Sequence, residues 1–485
     1  MSGSYLVRPR RVLLAVSLVI AACGVAQPMA AGAAERCDSA PTGVSVSDHF
    51  LSFIVPTGLM PDPKFAGRPA EIEVHQVRPV YAHGKCSAVP NRAAVLVHGS
   101  RVPGTPSFDL RQQAPDGGTL STQRALAAAG IDTFAPSLLG YGRSTRFADG
   151  LDDPANASLR PYNADGSCSH AEGCDRAHLP IFPLDQQGTL LVNNPLDGQR
   201  HAHSTSERFA RTDVFVRDIR QVINYAIARA KPSDGKVTLI GWSFGANYAA
   251  RTLYSSPAFA KKVNRVVFHS SGFDTPTEEV APPAGFTSFP TSLATRTSIV
   301  SGPMMPPGRA EVCTGHRIPG AQEQLWAQMM EEDPLGSTWG GDRANPAGLN
   351  RSPTFSLYGW NAELAARVTT PSLVIHGTDD TVANPEWGPA IYNSLGTPNK
   401  VLVQVQCGSH LLHLAGCSGP RCIPESGTPY GGRAGEPWAG PYSTYQTALI
   451  EWIKHGTFDG AANGRFIINE SGVANPAVPL TEPGS

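Results

Sequence analysis

The chain has 485 residues, 41% of them hydrophobic, with a formal net charge of −1 at pH 7. That length allows one large domain with insertions or two ordinary domains, and the apolar fraction suffices for a sizeable core. The balanced charge, without long runs of one sign, excludes a nucleic-acid footprint and a polybasic membrane patch.

At the start, Arg8, Arg10 and Arg11 precede an apolar run from Val12 to Ala26 and a small-residue stretch ending at Ala34. Basic, apolar and A-x-A-type regions in that order predict a cleaved signal peptide over residues 1–33. The run is shorter than the about 20 apolar residues of a membrane span, so no stable span is expected. Ile20-Ala-Ala-Cys23 also fits a lipoprotein signal that would anchor the mature chain through Cys23, and Arg10-Arg11 leaves twin-arginine export open. The more complete cleavage region favours simple secretion. The abundance of Gly, Pro and Ala reads as coding bias of a GC-rich bacterium, so the expected location is secreted, periplasmic or cell-surface.

Without Cys23 eight cysteines remain: Cys37, Cys86, Cys168, Cys174, Cys313, Cys407, Cys417 and Cys422. An even number in an exported chain reads as a disulfide framework. The spacings predict two short loops, Cys168 with Cys174 and Cys417 with Cys422. Elimination then leaves Cys37 with Cys86 and Cys313 with Cys407. No C-x-x-C pair or histidine-rich cluster supports zinc.

Short β-branched runs alternate with amphipathic helical stretches, which predicts a mostly parallel sheet flanked by helices. The expected strands are Glu71–Val80, Ala93–Val97, Thr133–Pro136, Val237–Ile240, Val263–Phe268, Ser372–Ile375 and Val401–Val405. The expected helices are Thr122–Ala129, Val214–Ala230, Ala246–Ser255, Pro385–Leu395 and Tyr442–His455. Two long segments break the alternation, 145–212 and 273–356, the second containing a helical run, Ala321–Glu332. Structureless loops of that length are uncommon unless functional. The expected organisation is therefore a core in two parts, 34–272 and 357–485, with 145–212 as a rim insertion and 273–356 as a cap over the site.

Chemistry concentrates in three places. Gly241-Trp242-Ser243-Phe244-Gly245 lies between a β-rich run and a small-residue helical stretch. G-x-S-x-G alone is a weak match, and the strand and helix around it supply its weight. A tight strand-to-helix turn there would lift the serine hydroxyl to a helix N-terminus, which favours developing negative charge. Next, the strand Ser372–Ile375 runs into His376-Gly-Thr-Asp-Asp380. A turn past a strand suits an acid that must accept an imidazole N–H and stay ionised, and Asp380 is favoured over Asp379. Finally, His410 follows the strand Val401–Val405 and Gly408-Ser409, while His413 would face elsewhere if the segment turns helical. The oxyanion hole would use the amide of Phe244 and, from the turn after Ala93–Val97, that of Ser100. His98 in that turn reads as a scaffold residue.

His98-Gly99, Gly140-Tyr-Gly-Arg-Ser144, the elbow at Ser243, His376-Gly-Thr-Asp-Asp380 and Gly408-Ser-His410 together resemble the successive landmarks of the α/β-hydrolase superfamily. They span roughly residues 90 to 455. The resemblance implies an α/β-hydrolase fold, Ser243/His410/Asp380 catalysis and no cofactor. Serine stands where dehalogenases and epoxide hydrolases of this fold carry aspartate, which disfavours both. His98-Gly-Ser-Arg101 differs from the His-Gly-Gly-Pro-Gly of prolyl and tripeptidyl aminopeptidases and from the His-Gly-Gly-Gly of the hormone-sensitive-lipase group.

The leading expectation is thus a secreted serine hydrolase of small-molecule carboxylic esters. An exopeptidase with the same triad is the alternative, with Glu331-Glu332-Asp333 as anchor for a substrate ammonium. A solvated charge run is the preferred reading of those three carboxylates. A catalytically silent binding scaffold is the remaining rival.

Overall fold

A computed structural model describes residues 40–82, 92–153, 156, 205, 207–281, 290–301, 316–339 and 348–477. The signal-peptide and Cys23 expectations lie outside the described residues. So do Cys37, Cys86, Cys168, Cys174, Cys313 and most of the rim insertion.

Ten strands make the main sheet among the described residues. In chain order they are β1 (Gly43–Ile54), β2 (Pro69–Val80), β3 (Arg92–Val97), β4 (Ile131–Ser137), β5 (Val237–Trp242), β6 (Val263–His269), β7 (Ser372–Gly377), β8 (Lys400–Val405), β9 (Gly464–Ile468) and β10 (Ala474–Pro476). The spatial order is β1-β2-β4-β3-β5-β6-β7-β8-β9-β10. From β4 through β9 every neighbour pair is parallel, and antiparallel pairs close both edges. All seven expected strands are present. Three further ones, β1, β9 and β10, lie at the edges.

The central strands are buried on both faces, so their period of two divides side chains between two cores. Val95, Val97 and Leu239 join one core with α3 (Thr212–Ala230) and α4 (Phe244–Tyr254). Ala94, Leu96, Ile240 and Trp242 join the other. That second core also takes in α2 (Thr122–Ala128), α5 (Ala321–Glu332) and α7 (Pro441–His455), while α6 (Trp387–Ser394) contributes Ile391 to the first. Each fully buried aliphatic side chain contributes about 1.5–3 kcal/mol, so this three-layer arrangement is what holds the strand ends in place. α3 shows the expected stripe, with Val214, Ile219, Val222, Ile223 and Ala226 buried. α2 opens on Ser121, whose hydroxyl accepts the Arg124 N–H at 2.9 Å.

The described parts of 273–356 rest on the core. A short helix, α1 (Gly104–Phe108), follows β3, and the chain beyond it meets α5. There the Arg111 N–H donates to Gln328 Oε1 (2.7 Å), and Gln328 Nε2 donates to Asp109 O (3.1 Å). Thr291–Ala294 pairs with Asn350–Pro353, and Phe355–Ser356 pairs with Ala210–Arg211 at the end of the rim insertion. Among the described residues no helix is long and apolar enough to cross a membrane.

Candidate active site

In a parallel sheet the carboxyl ends of the strands share one edge, so the turns after β3, β5, β7 and β8 come together. β5 is central, between β3 and β6, and delivers Ser243. β7 delivers Asp380 and β8 delivers His410.

Ser243 has φ 55° and ψ −126°, a left-handed conformation that costs a non-glycine residue about 1–3 kcal/mol. Hydrogen bonds of its own backbone hold it there. The Ser243 N–H donates to His269 O (2.9 Å), and the Ala246 N–H returns to Ser243 O (3.0 Å). A Cβ on Gly245 would sit 2.3 Å from Val97 O, so only glycine lets the helix approach β3. The helix begins at Phe244, two residues earlier than the sequence pattern indicated.

The turn after β7 is equally constrained. Asp380 Oδ1 accepts the Val382 N–H (2.9 Å) and the Ala383 N–H (2.7 Å). His410 Nδ1–H donates to Asp380 Oδ2 (2.8 Å). Burial would raise the Asp380 carboxyl, yet hydrogen bonds from His376 and His410 hold it well below the usual carboxylate range. An ionised acceptor requires the proton on His410 Nδ1, which leaves Nε2 with its lone pair free. Trp242 ties the segments of Ser243 and His410 together, donating from Nε1 to His410 O at 3.0 Å, with the rings 5.5 Å apart.

A family model described as alpha/beta hydrolase fold matches residues 118–416, more than half of the chain. The chain belongs to the α/β-hydrolase fold family. Solved structures similar to this α/β hydrolase include a bromoperoxidase from Bacillus anthracis (15% identity, 71% of this chain and 90% of that one, TM-score 0.34). Others are a monoacylglycerol lipase from Paleococcus ferrophilus (14%, 84% and 98%, TM-score 0.35) and an esterase from Exiguobacterium antarcticum (13%, 70% and 89%, TM-score 0.32). No curated protein matches the sequence.

The other candidates in this α/β hydrolase sort by contact. Asp379 meets the loop after β8 through its backbone, its N–H donating to Gly408 O (2.9 Å). His413 lies on a 3-10 turn, fully buried against Trp242 and His269 at ring distances of 5.1 and 5.0 Å. Burial pushes its imidazole down to about 3. His98 accepts the Leu138 N–H on Nε2 (3.0 Å) and so donates from Nδ1 to Gly99 O (2.6 Å). With both ring nitrogens committed and burial lowering its pKa to about 4, it braces the turn beside Ser243. Gly99 abuts the serine, since a Cβ there would lie 2.7 Å from Ser243 Cβ. Among the described residues the amides of Ser100 and Phe244 have no acceptor.

Neither expectation for Glu331-Glu332-Asp333 holds. Only Glu331 is solvated, paired with Arg111. Glu332 is buried and meets Arg143 (3.3 Å) beside Glu73. Asp333 accepts Arg351 Nε at 2.8 Å and lies 3.4 Å from Arg146. Burial lowers the reward of such charges unless each is paired, and arginine has taken all three. An ammonium anchor is therefore already occupied.

Cys417 and Cys422 form the expected disulfide, with Cα atoms 5.9 Å apart. Cys407 is also disulfide-bonded. Sequence reasoning missed His376 as part of the site, although it stands in the same motif as Asp380. Among the described residues no cluster of His, Cys, Asp and Glu is arranged to hold a metal ion.

Proposed function

We propose that this α/β hydrolase cleaves carboxylic esters by an acyl-enzyme mechanism. The observation that carries the reading is the Asp380–His410 hydrogen bond beside a strained, buried Ser243 at a helix N-terminus. Ser243 Oγ attacks the ester carbonyl while His410 Nε2 accepts its proton, and Asp380 stabilises the resulting imidazolium. The free amides of Ser100 and Phe244 receive the oxyanion. His410 then protonates the leaving alkoxide, and water repeats the sequence to release the acid.

The chain is further proposed to be exported. Its Cys417–Cys422 bond and the oxidised Cys407 support this, because disulfides persist in oxidising compartments.

The test is a panel of esters of varied acyl length beside aminoacyl amides, with a serine-directed phosphonate. Ester turnover and labelling of wild type, both absent in Ser243→Ala with little change in Tm, are the expected result. Turnover of amides that requires a free amino terminus would select the exopeptidase, and neither turnover nor labelling would select a silent scaffold.

A further inference from the structure

His376 is 1% exposed at the end of β7, with its ring pressed on α6: a Cβ on Gly388 would lie 3.1 Å from His376 Cβ. Its Nε2 is 3.1 Å from Ala383 O, an atom that can only accept, so Nε2 carries a proton. The same nitrogen is 3.5 Å from Asp380 Oδ2, the oxygen that receives His410. Asp380 Oδ1 meanwhile takes the Val382 and Ala383 amides. The turn 380–383 therefore closes on itself through Asp380 and is fastened to the strand by one imidazole.

We propose that His376 is a positioning residue for the catalytic acid, its Nε2–H holding the 380–383 turn and steadying the carboxylate that orients His410. It touches neither substrate nor the reacting atoms. Without it, Ala383 O loses a buried donor and the carboxylate loses a nearby dipole, so the acid is free to shift with its turn. The charged and titratable groups around the ring are Asp380, His410 and His269. The proposal rests on the triad reading above, and its test has one arm that does not depend on turnover.

His376→Phe puts a somewhat larger aromatic ring in place of the imidazole and removes the donor, while His376→Gln sets an amide N–H near the place of Nε2. In ester hydrolysis His376→Phe is expected to lower kcat roughly a hundredfold with KM little changed, as a displacement of about 1 Å does. His376→Gln should recover most of that loss. Independently, the downfield proton resonance of His410 Nδ1–H, assigned by its disappearance in His410→Ala, should broaden and move upfield in His376→Phe and return in His376→Gln. His376→Leu serves in place of the Phe variant if that one does not fold. An unchanged resonance in the donorless variant would overturn the proposal whatever the substrate. So would a loss of kcat that only follows a fall in Tm, with Gln no better than Phe. Absence of phosphonate labelling at Ser243 with the resonance behaving as expected would instead remove the functional reading and leave this contact standing.

Discussion

At the scale of single residues, two adjacent aspartates make separate contacts. Asp380 has both oxygens engaged by His410 and by the amides of its own turn, whereas Asp379 meets the base loop through its backbone. Asp380→Asn removes the charge that fixes the His410 tautomer, and kcat should fall by about 10⁴-fold, as it does when a triad acid becomes an amide. Asp379→Asn should leave kcat within a small factor. Steady-state rates of the two variants decide it, and a reversed ranking moves the acid to Asp379. The positions of Ser243, Asp380 and His410 in turns after β5, β7 and β8 were legible, because the glycines of those turns and the β-branched runs before them are local signals. His376 was not, since its partner is a backbone carbonyl that carries no residue signature.

Between elements, the loops after β7 and β8 are pressed together more tightly than any pattern indicates. A Cβ on Gly377 would lie 2.1 Å from Gly408 O, so Gly377→Ala must push the acid loop from the base loop. The expected loss of stability is about 1–3 kcal/mol from overpacking. The expected fall in kcat is on the order of a hundredfold, because the Asp380–His410 distance opens. Thermal melts and kinetics together check this; wild-type kcat in a stable variant would show that the loops move as one body. The base loop is also held by the Trp242 bond to His410 O, and oxidised cysteines precede and follow it. Among strands, β1 escaped notice for a physical reason. Leu51 and Phe53 pack on the core while Val46, Phe50 and Ile54 stay exposed, so apolar residues fall on both faces and the period of two disappears.

Across the whole molecule, a charge cluster joins the sheet edge to the helix α5. Arg143 reaches Asp48 (2.8 Å), Glu73 (2.6 Å) and Glu332 (3.3 Å), and His75 lies between Asp48 (2.6 Å) and Asp109 (3.0 Å), which also holds Arg124 (2.7 Å). Three cations thus face four carboxylates, and one retained proton balances the group. Burial, then the neighbouring Glu332, pushes Glu73 up to about 8. Burial opposes the charge on His75, but Asp109 and Asp48 raise it to about 9. Both groups hold their protons more tightly in the folded chain than in the unfolded one. Their contribution is full below the ordinary values of 4.5 for Glu73 and 6.5 for His75, and is lost as pH rises through about 8 and about 9. Tm should therefore fall between about pH 6.5 and pH 9. Glu73→Gln, which keeps the uncharged form at every pH, should flatten part of that slope. An equal slope in the variant would place the lost protons elsewhere.

The sequence by itself determined the fold family, the central strands, the placing of Ser243, Asp380 and His410 in the turns after three of them, and the Cys417–Cys422 loop. All of these rest on contacts within a short stretch of chain or on the repeat of strand and helix. Only the tertiary structure decided that Glu332 and Asp333 are buried against arginines, which backbone atoms His98 holds, and that His376 meets Ala383 O. Those partners come from residues as far apart as Arg143 and Glu332, or from backbone atoms that every residue shares. Pairing of that kind has no local pattern, because it is selected by burial once the strands have brought distant loops to one edge.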